Sequence, residues 1–518
     1  MNQTEPLLLD AIARLRVNPT SVHCWHRVEV LLRALPAAAC GEALARLPSF
    51  APDGGVIPFL KETLLVNVDG VAHLPDAARR LLEIAPVDPD RICAFLLFAW
   101  ARLIAANCAH ADYIDGFASA CFPALSRRAA GLIAPMPAMP RRAIQRVRKV
   151  ALVASQLSTI SHTPTRMALD QLAVLRELGY EVQVFSAQEQ SPPDMPTYLG
   201  ADCDAPHTQP DTAGWLRYLR ADAQFSFVLG VADTRFSMRE RWCGILSQIA
   251  AFDPDLVFFV GLYGPMLFPL YESRPVLALC THAFAPIAPV DAWLCADPVL
   301  AGRSAPAWGD ALPAAHACFH PYRIRHPRAP RTATRAELGL PADKLILISV
   351  GARLPEEITG QWAAAMLRTL AACPQLCWVL VGGTGATPAA LAAANDGVLM
   401  VLPHRDDVPA LLALSDVYLN PPRIGGGFSV AEAMAEALPV VALRGADGGN
   451  KIGDQAVATD DAYFAYLADL IASEALRRSA GAALRELFER TLSLDHSQPS
   501  LAAAIATTLA AYRQRAAS

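Results

Sequence analysis

Three consecutive glycines, Gly425 to Gly427, stand where the chain could bind a phosphate. A glycine has no Cβ atom, so a ligand can approach its backbone closely. A helix predicted to begin near Phe428 would add unpaired N–H groups and the positive end of its dipole. Glu432, about one turn into that helix, could accept hydrogen bonds from ribose hydroxyls. Because an ordinary tight turn gives the same pattern, a nucleotide site needs support from the rest of the chain.

The segments around these glycines are typical of a parallel α/β domain. We predict strands at 345–350, 377–382, 398–402 and 416–420, and helices at 361–372 and 408–414. The strands are short apolar runs, and the helices have apolar residues at three-and-four spacing. Ligands of such sheets bind at the carboxyl ends of the strands. The glycines follow the last of these strands, which places them at that edge.

A second α/β region precedes the first in the chain. We predict a βαβ unit from strand 149–155, helix 166–178 and strand 181–186, and then helix 238–251 and strands 255–260 and 275–281. Two proline-punctuated segments, 133–142 and 320–331, are interpreted as linkers. The chain therefore contains two α/β units in series.

The segment before residue 133 has a helical pattern throughout. Apolar residues at three-and-four spacing predict helices at 7–15, 26–35, 77–84 and 91–106. β-branched runs of the strand type are missing there. This region is either a scaffold or a platform for a protein substrate or for oligomerisation, and the sequence leaves both open.

Composition limits the function classes. The 518 residues are 53% hydrophobic and 18% charged, which is typical of globular domains. A net charge of −5 argues against a nucleic-acid partner. Cys93, Cys108, Cys280 and Cys295 lie in apolar runs, as buried free thiols do, and Cys373 and Cys377 lack the partners of a zinc site, so no metal is predicted. Without an apolar run of about 18 residues or a basic leader, we expect a cytoplasmic protein with no integral membrane segment.

Residues 149–460 resemble the catalytic half of the O-GlcNAc transferase class and of the bacterial cytoplasmic N-glucosyltransferases that modify adhesins. Four segments carry the resemblance: 155–165 (SQLSTISHTPT), 252–261 with 274–281, Arg353 ahead of Gln361 and Trp362, and the glycine-rich turn. It implies an α/β fold of the GT-B class, with two Rossmann-like domains that face a cleft and an all-helical domain before them. The implied domains are 1–140 (helical), 141–325 (acceptor side) and 326–518 (nucleotide-sugar side).

The resemblance also implies roles for two side chains. His162 matches a loop histidine that acts as a base or positions the acceptor, and an imidazole near its ordinary pKa could take a proton at neutral pH. Arg353 matches a basic residue that would neutralise the departing nucleoside diphosphate in a metal-free site. The alternatives are a helix-capping or surface histidine and a solvated arginine.

The nucleotide would be held by two further segments. The diphosphate matches the turn of Gly426, Gly427, Phe428 and Ser429, and the ribose matches Glu432. The uracil edge matches the segment Pro403, His404 and Arg405, in which Arg405 is the candidate base contact and His404 could equally be a surface residue.

Two departures from the family patterns bear on mechanism. The turn has Gly-Phe-Ser where the family usually has His-Thr-Thr, so one phosphate contact is replaced by an aromatic ring. A retaining family of the same fold has two glutamates eight positions apart, whereas here Ile424 precedes Glu432 at that distance. This difference favours inversion.

We therefore predict a metal-independent, inverting enzyme that moves a hexose or N-acetylhexosamine from a UDP sugar to an Asn, Ser or Thr side chain of a protein. No cofactor is expected besides the donor substrate, and the oligomeric state is not predicted. Two alternatives stay open: an enzyme that acts on a glycan or lipid-linked acceptor, and a non-catalytic binder of a nucleotide sugar or a partner protein.

Overall fold

The computed structural model divides the chain into two compact units. One contains Met1–His320 and Pro499–Ser518, and the other contains Pro321–Gln498. The residues that the structure describes are 4–35, 40, 56–83, 88–105, 122–133, 139–191, 210–219, 229–282, 284–299, 301–302, 312–325, 333–383, 385–394, 397–405, 407–423 and 425–517.

The first unit begins with a helical region, as predicted. Its helices are Thr4–Val17, Val22–Arg33, Val56–Asp69, Leu74–Glu83, Pro89–Ala105 and Phe122–Gly131. In the first of these helices Leu8, Ile12 and Leu15 are buried, which is the apolar stripe expected from their spacing. Residues 84 and 106, where two predicted helices end, lie outside the described residues, as does Cys108.

A parallel sheet forms the centre of the first unit. Its strands are β1 (Lys149–Ala154), β2 (Glu181–Ser186), β3 (Leu229–Val231), β4 (Leu256–Gly261), β5 (Val276–Cys280), β6 (Ala292–Cys295) and β7 (His316–Phe319). They lie in the order β3-β2-β1-β4-β5-β6-β7. Val150 is opposite Val182 on one side and Leu256 on the other. The order along the chain reverses between β1 and β4, which is where such sheets bind ligands.

The helices with described bounds that accompany this sheet are Thr163–Glu177, Thr212–Tyr218, Met238–Phe252, Leu267–Ser273 and Gln498–Ala517. From Pro499 onward the last helix belongs to the first unit, although the sequence analysis places it in the domain 326–518. Tyr512 donates a hydrogen bond to the backbone oxygen of Ser273 at 3.0 Å, and Arg515 pairs with Asp291 at 3.0 Å. Because these contacts join residues far apart in the sequence, local sequence patterns could not assign the last helix to the first unit.

The second unit contains a five-stranded parallel sheet. Its strands are β8 (Leu345–Val350), β9 (Leu376–Val381), β10 (Leu399–Leu402), β11 (Val417–Leu419) and β12 (Val440–Val441), in the order β10-β9-β8-β11-β12. Its helices are Leu354–Glu357, Gly360–Ala372, Val408–Ala413, Gly427–Ala435, Asp447–Ile452, Asp460–Ala472 and Glu474–Thr491. The order reverses between β8 and β11, so the carboxyl ends of these two strands mark the candidate ligand site.

Both faces of the second sheet are covered. Ile346 and Ile348 point into one apolar cluster with Met434, whereas Leu347 points into another with Trp378. This alternation along β8 explains its continuous apolar sequence, because a parallel strand buried on both sides has no polar face.

Cys93, Cys280 and Cys295 are buried free thiols, as predicted. In the part of the chain that the structure describes, no helix is both long and apolar enough to span a membrane.

Candidate functional site

The glycine-rich turn and Arg353 come together at the reversal point of the second sheet. β11 lies beside β8, with Tyr418 opposite Ile348. Arg353 follows β8 and precedes the short helix Leu354–Glu357. A Cβ atom placed on Gly425 would lie 3.4 Å from Nη2 of Arg353. The two features singled out in the sequence are therefore neighbours.

The turn needs a glycine at Gly426. Its φ of 92° is in the left-handed region, which favours glycine. A Cβ atom there would also overlap Oδ1 of Asn420 and lie 2.6 Å from Nη2 of Arg423. The helix Gly427–Ala435 then begins one residue before the predicted start.

Arg423, which the sequence analysis missed, fills the space beneath this turn. Its Nε donates to Oδ1 of Asn420 at 2.8 Å and its Nη2 to the backbone oxygen of Val350 at 2.9 Å. Only 3% of its side chain is exposed. In the sequence, its position after an apolar strand and two residues before three glycines could have identified Arg423 as a site residue.

Arg353 is accessible to a ligand, in contrast to Arg423. Its side chain is 52% exposed, and its Nη2 lies 3.0 Å from Oε1 of Glu357. The carboxylate therefore pairs with one edge of the Arg353 guanidinium, while about half of the side chain stays exposed beside the turn. This arrangement can stabilise negative charge on a bound diphosphate.

Two groups that were expected to bind the diphosphate are already hydrogen-bonded within the unit. The backbone N–H of Gly427 donates to Oδ2 of Asp447 at 3.1 Å, and Lys451 pairs with Oδ1 of the same carboxylate at 3.3 Å. The Ser429 hydroxyl oxygen accepts a hydrogen bond from the Tyr418 hydroxyl at 2.7 Å. A side-chain carboxylate thus occupies the helix N-terminus that the sequence suggested for phosphate.

The other two candidates on this helix are half-buried. Phe428 and Glu432 lie on its first two turns. Burial raises the pKa of the Tyr418 phenol, and the negative charge of Glu432 adds to that shift. The charge of Glu432 therefore acts on the phenol of Tyr418.

The predicted uracil segment follows β10, at the edge of the same sheet. Pro403 and His404 are exposed, and the backbone N–H of His404 donates to the backbone oxygen of Gly383 at 3.2 Å. Nε of Arg405 donates to Oδ1 of Asp407 at 2.8 Å. The segment lies at the carboxyl ends of the strands, as expected, but two strands away from Arg353 in sheet order.

His162 lies in the first unit, after β1. It is the N-cap residue of helix Thr163–Glu177, and its Nδ1 is 2.9 Å from Oγ1 of Thr165. Burial lowers the pKa of its imidazole from 6.5 to about 4. The expectation of an unperturbed pKa is therefore wrong, because the ring is desolvated. At neutral pH the ring is uncharged and can accept a proton.

A buried polar cluster follows β2 in the same unit. Glu189 is 2% exposed and accepts a hydrogen bond from Nε1 of Trp242 at 2.8 Å. Arg241 supports the loop by donating to the backbone oxygens of Gln188 at 3.1 Å and Ser191 at 2.7 Å. Burial raises the pKa of the Glu189 carboxyl to about 8, so it is protonated at neutral pH.

Replacing Glu189 by glutamine is expected to flatten the pH dependence of folding stability. The folded wild type retains a proton that the unfolded chain releases above 4.5, so its stability falls as pH rises towards about 8. Glutamine has similar shape and no ionisable group. Unfolding by urea at several pH values in this window measures the difference, on the order of a few kcal/mol. Equal pH slopes for both proteins would contradict a protonated Glu189.

Comparison with known proteins agrees with this architecture. Residues 344–472 match the family model described as glycosyl transferases group 1. No curated protein sequence matches the chain. A mutant of the Thermobaculum terrenum O-GlcNAc transferase has a TM-score of 0.56 at 16% identity, over 99% of this chain and 100% of that chain.

Two further solved structures resemble a smaller share of the chain, and less closely. The pneumococcal O-GlcNAc transferase GtfA, in complex with UDP and GlcNAc, has a TM-score of 0.47 at 10% identity, over 70% of this chain and 100% of that chain. WaaG, a glycosyltransferase involved in lipopolysaccharide biosynthesis, has a TM-score of 0.41 at 13% identity, over 68% of this chain and 98% of that chain.

The family match covers all five strands of the second sheet, the glycine turn with the helix after it, and both Arg353 and Arg423. The structural match to the Thermobaculum terrenum enzyme extends over both sheets and the N-terminal helices. The prediction of a GT-B glycosyltransferase is therefore confirmed, with a glycosyl transferases group 1 domain at residues 344–472.

Proposed function

We propose that the protein transfers a hexose or an N-acetylhexosamine from a UDP sugar to an Asn, Ser or Thr side chain of a protein acceptor. The observation that carries this proposal is the half-exposed guanidinium of Arg353 beside Gly425, at the reversal point of the second sheet. That point is where parallel α/β sheets bind nucleotides.

Arg353 supplies the charge that the reaction needs. As the bond between the sugar and the diphosphate breaks, negative charge grows on the leaving phosphate, and a fixed guanidinium stabilises it. This is why we propose a reaction that needs no metal. Glu432 is assigned to the ribose hydroxyls, and Arg405 with its neighbours Pro403 and His404 to the base.

The acceptor proposal rests on the first unit. The name of the Thermobaculum terrenum protein, O-GlcNAc transferase, supports transfer to a hydroxyl, and the likeness includes the helical region. His162 is uncharged at neutral pH and can take the acceptor's proton.

Inversion is favoured by Ile424, because a retaining relative would have a glutamate there. Buried free thiols such as Cys93 suit the reducing cytoplasm, where we place the reaction.

Titration calorimetry with UDP, UDP-glucose and UDP-N-acetylglucosamine tests the donor proposal. Release of UDP in the presence and absence of cell protein then tests the acceptor proposal. Micromolar UDP binding with acceptor-dependent release supports both. Release that depends on saccharides but not on peptides would favour a glycan acceptor, and absence of UDP binding would overturn the donor proposal.

A non-catalytic nucleotide-sugar binder is the second candidate. The specific observation in its favour is that the N–H of Gly427 and the hydroxyl of Ser429 are hydrogen-bonded within the unit. Binding without any release of UDP across a panel of acceptors would support this candidate.

Replacing Asp447 by asparagine is expected to tighten UDP binding about five- to tenfold. The carboxylate at the N–H of Gly427 repels an incoming diphosphate, whereas the amide keeps an acceptor oxygen without the charge. Calorimetry at low and high salt measures the gain, which should shrink at high salt. The control is Asp461→Asn, at an exposed position on helix Asp460–Ala472. Weaker binding by Asp447→Asn would mean that the carboxylate supports the site.

A further inference from the structure

Glu357 joins the two arginines at the reversal point of the second sheet. Its Oε1 accepts from Nε of Arg353 at 3.2 Å and lies 3.0 Å from Nη2 of the same residue. Its Oε2 lies 3.2 Å from Nη1 of Arg423. The Glu357 side chain is 11% exposed, between a half-exposed arginine and a buried one. One carboxylate therefore links the accessible cation to the interior of the domain.

The interior end of this link is fixed. Arg423 donates to Oδ1 of Asn420, to the backbone oxygen of Val350 and, at 3.3 Å, to the hydroxyl of Tyr418. These partners lie on or directly after β8 and β11. Because the guanidinium is held from several sides, the carboxylate that pairs with it is held as well.

The outer end of the link faces the glycine turn. Nη2 of Arg353, which pairs with Glu357, is also the atom that a Cβ on Gly425 would approach to 3.4 Å. A long, half-exposed arginine side chain otherwise occupies many rotamers, and a ligand must restrict them on binding. A partner that restricts them beforehand removes part of that cost.

We propose that Glu357 is a positioning residue for the donor diphosphate, acting through Arg353. It holds the Arg353 guanidinium against the glycine turn. Because Glu357 is itself fixed by its pair with the buried Arg423, it restricts the rotamers of Arg353. This inference rests on the proposed nucleotide-sugar function. It assigns the negatively charged Glu357 a favourable role in binding an anion, which simple charge repulsion would not predict.

The positioning role and simple charge repulsion predict opposite effects for Glu357→Gln. Two arginines and one glutamate leave the cluster with one positive charge, and the amide would leave it with two. If charge alone decided, UDP would bind more tightly to the variant. If positioning decides, UDP binding weakens and transfer slows, because the neutral amide cannot pair with both arginines.

The test is a double-mutant cycle with Glu357→Gln, Arg353→Ala and the double variant, measured by UDP calorimetry and by the rate of UDP-sugar turnover. We expect Glu357→Gln to weaken UDP binding about tenfold. In the Arg353→Ala background the same change is expected to have no further effect. Glu356→Gln, an exposed glutamate on the same short helix, is the matched control and should bind UDP as the wild type does.

Each other outcome is decisive. An equal loss in both backgrounds would show a structural role of Glu357 and overturn the proposal. Tighter UDP binding by Glu357→Gln would also overturn it. Glu357→Asp, which keeps the charge but is too short to reach both arginines, should resemble Glu357→Gln, and thermal unfolding of each variant shows whether it is folded. If the wild type itself binds no UDP, the proposed function fails, and the positioning role fails with it.

Discussion

Replacing Arg353 by alanine is expected to slow sugar transfer by about 100- to 1000-fold, the loss typical of removing one group that stabilises a developing anion. The arginine is the accessible cation beside the glycine turn, with 52% of its side chain exposed. Arg423 cannot take its place, because it is buried beneath the turn and already saturated by Asn420, Val350 and Tyr418. Turnover of a UDP sugar and the affinity for UDP are the two measurements.

Arg353→Lys separates charge from geometry. The lysine keeps the positive charge but cannot offer two nitrogens to Glu357, so we expect an intermediate loss. The matched control is Arg368→Ala, an exposed arginine on helix Gly360–Ala372, which should leave turnover unchanged. Turnover by Arg353→Ala within twofold of the wild type would remove this arginine from the site.

The central strands could be predicted from the sequence because each is a short apolar run between polar or glycine punctuation. β2 and β8 have the predicted bounds, Glu181–Ser186 and Leu345–Val350. β3, β6 and β7 were not predicted, and β3 has only three residues. β6 has four residues, and β7 begins with the polar His316 and is mostly exposed, so neither has a distinctive period.

The candidate site was predicted only in part, for a different reason. The glycine turn and Arg353 are visible as residue types that follow strands. Arg423 and Asp447 are brought to the site by the pairing of β8, β11 and β12, and sequence spacing does not show such contacts. Glu357 lies four residues after Arg353, a spacing that allows their ion pair, but its second pair, with Arg423, depends on the strand pairing. Ser429 illustrates the same limit, because the phase of its helix directs the hydroxyl towards Tyr418.

The low pKa of His162 also arises from tertiary structure. A histidine in a loop is expected to titrate near 6.5, but the packing around the start of helix Thr163–Glu177 desolvates the ring and lowers its pKa to about 4. The helix-capping role and the role as a base are compatible here, since the backbone of His162 caps the helix while its ring stays uncharged. The pH dependence of activity distinguishes them.

Replacing His162 by alanine is expected to slow transfer by about 100-fold, as loss of a general base does. In the wild type, turnover should stay constant as pH falls below 6.5 and should decline only as pH approaches about 4, where the imidazole takes a proton. The contribution of the uncharged ring to folding stability also falls at low pH. This contribution is fully present above about 6.5 and is lost as pH falls through about 4. Turnover and urea unfolding across this range measure both.

The comparison of variants decides whether His162 takes part in proton transfer. If His162 acts as a base, the decline of turnover near pH 4 should disappear in His162→Ala, and the decline of folding stability should be reduced as well. His23→Ala, at an exposed position on helix Val22–Arg33, should change neither profile. A wild-type decline centred near 6.5 would mean that the ring is solvated during turnover. Unchanged turnover by His162→Ala, with reduced stability, would leave the histidine only its structural role at the helix start.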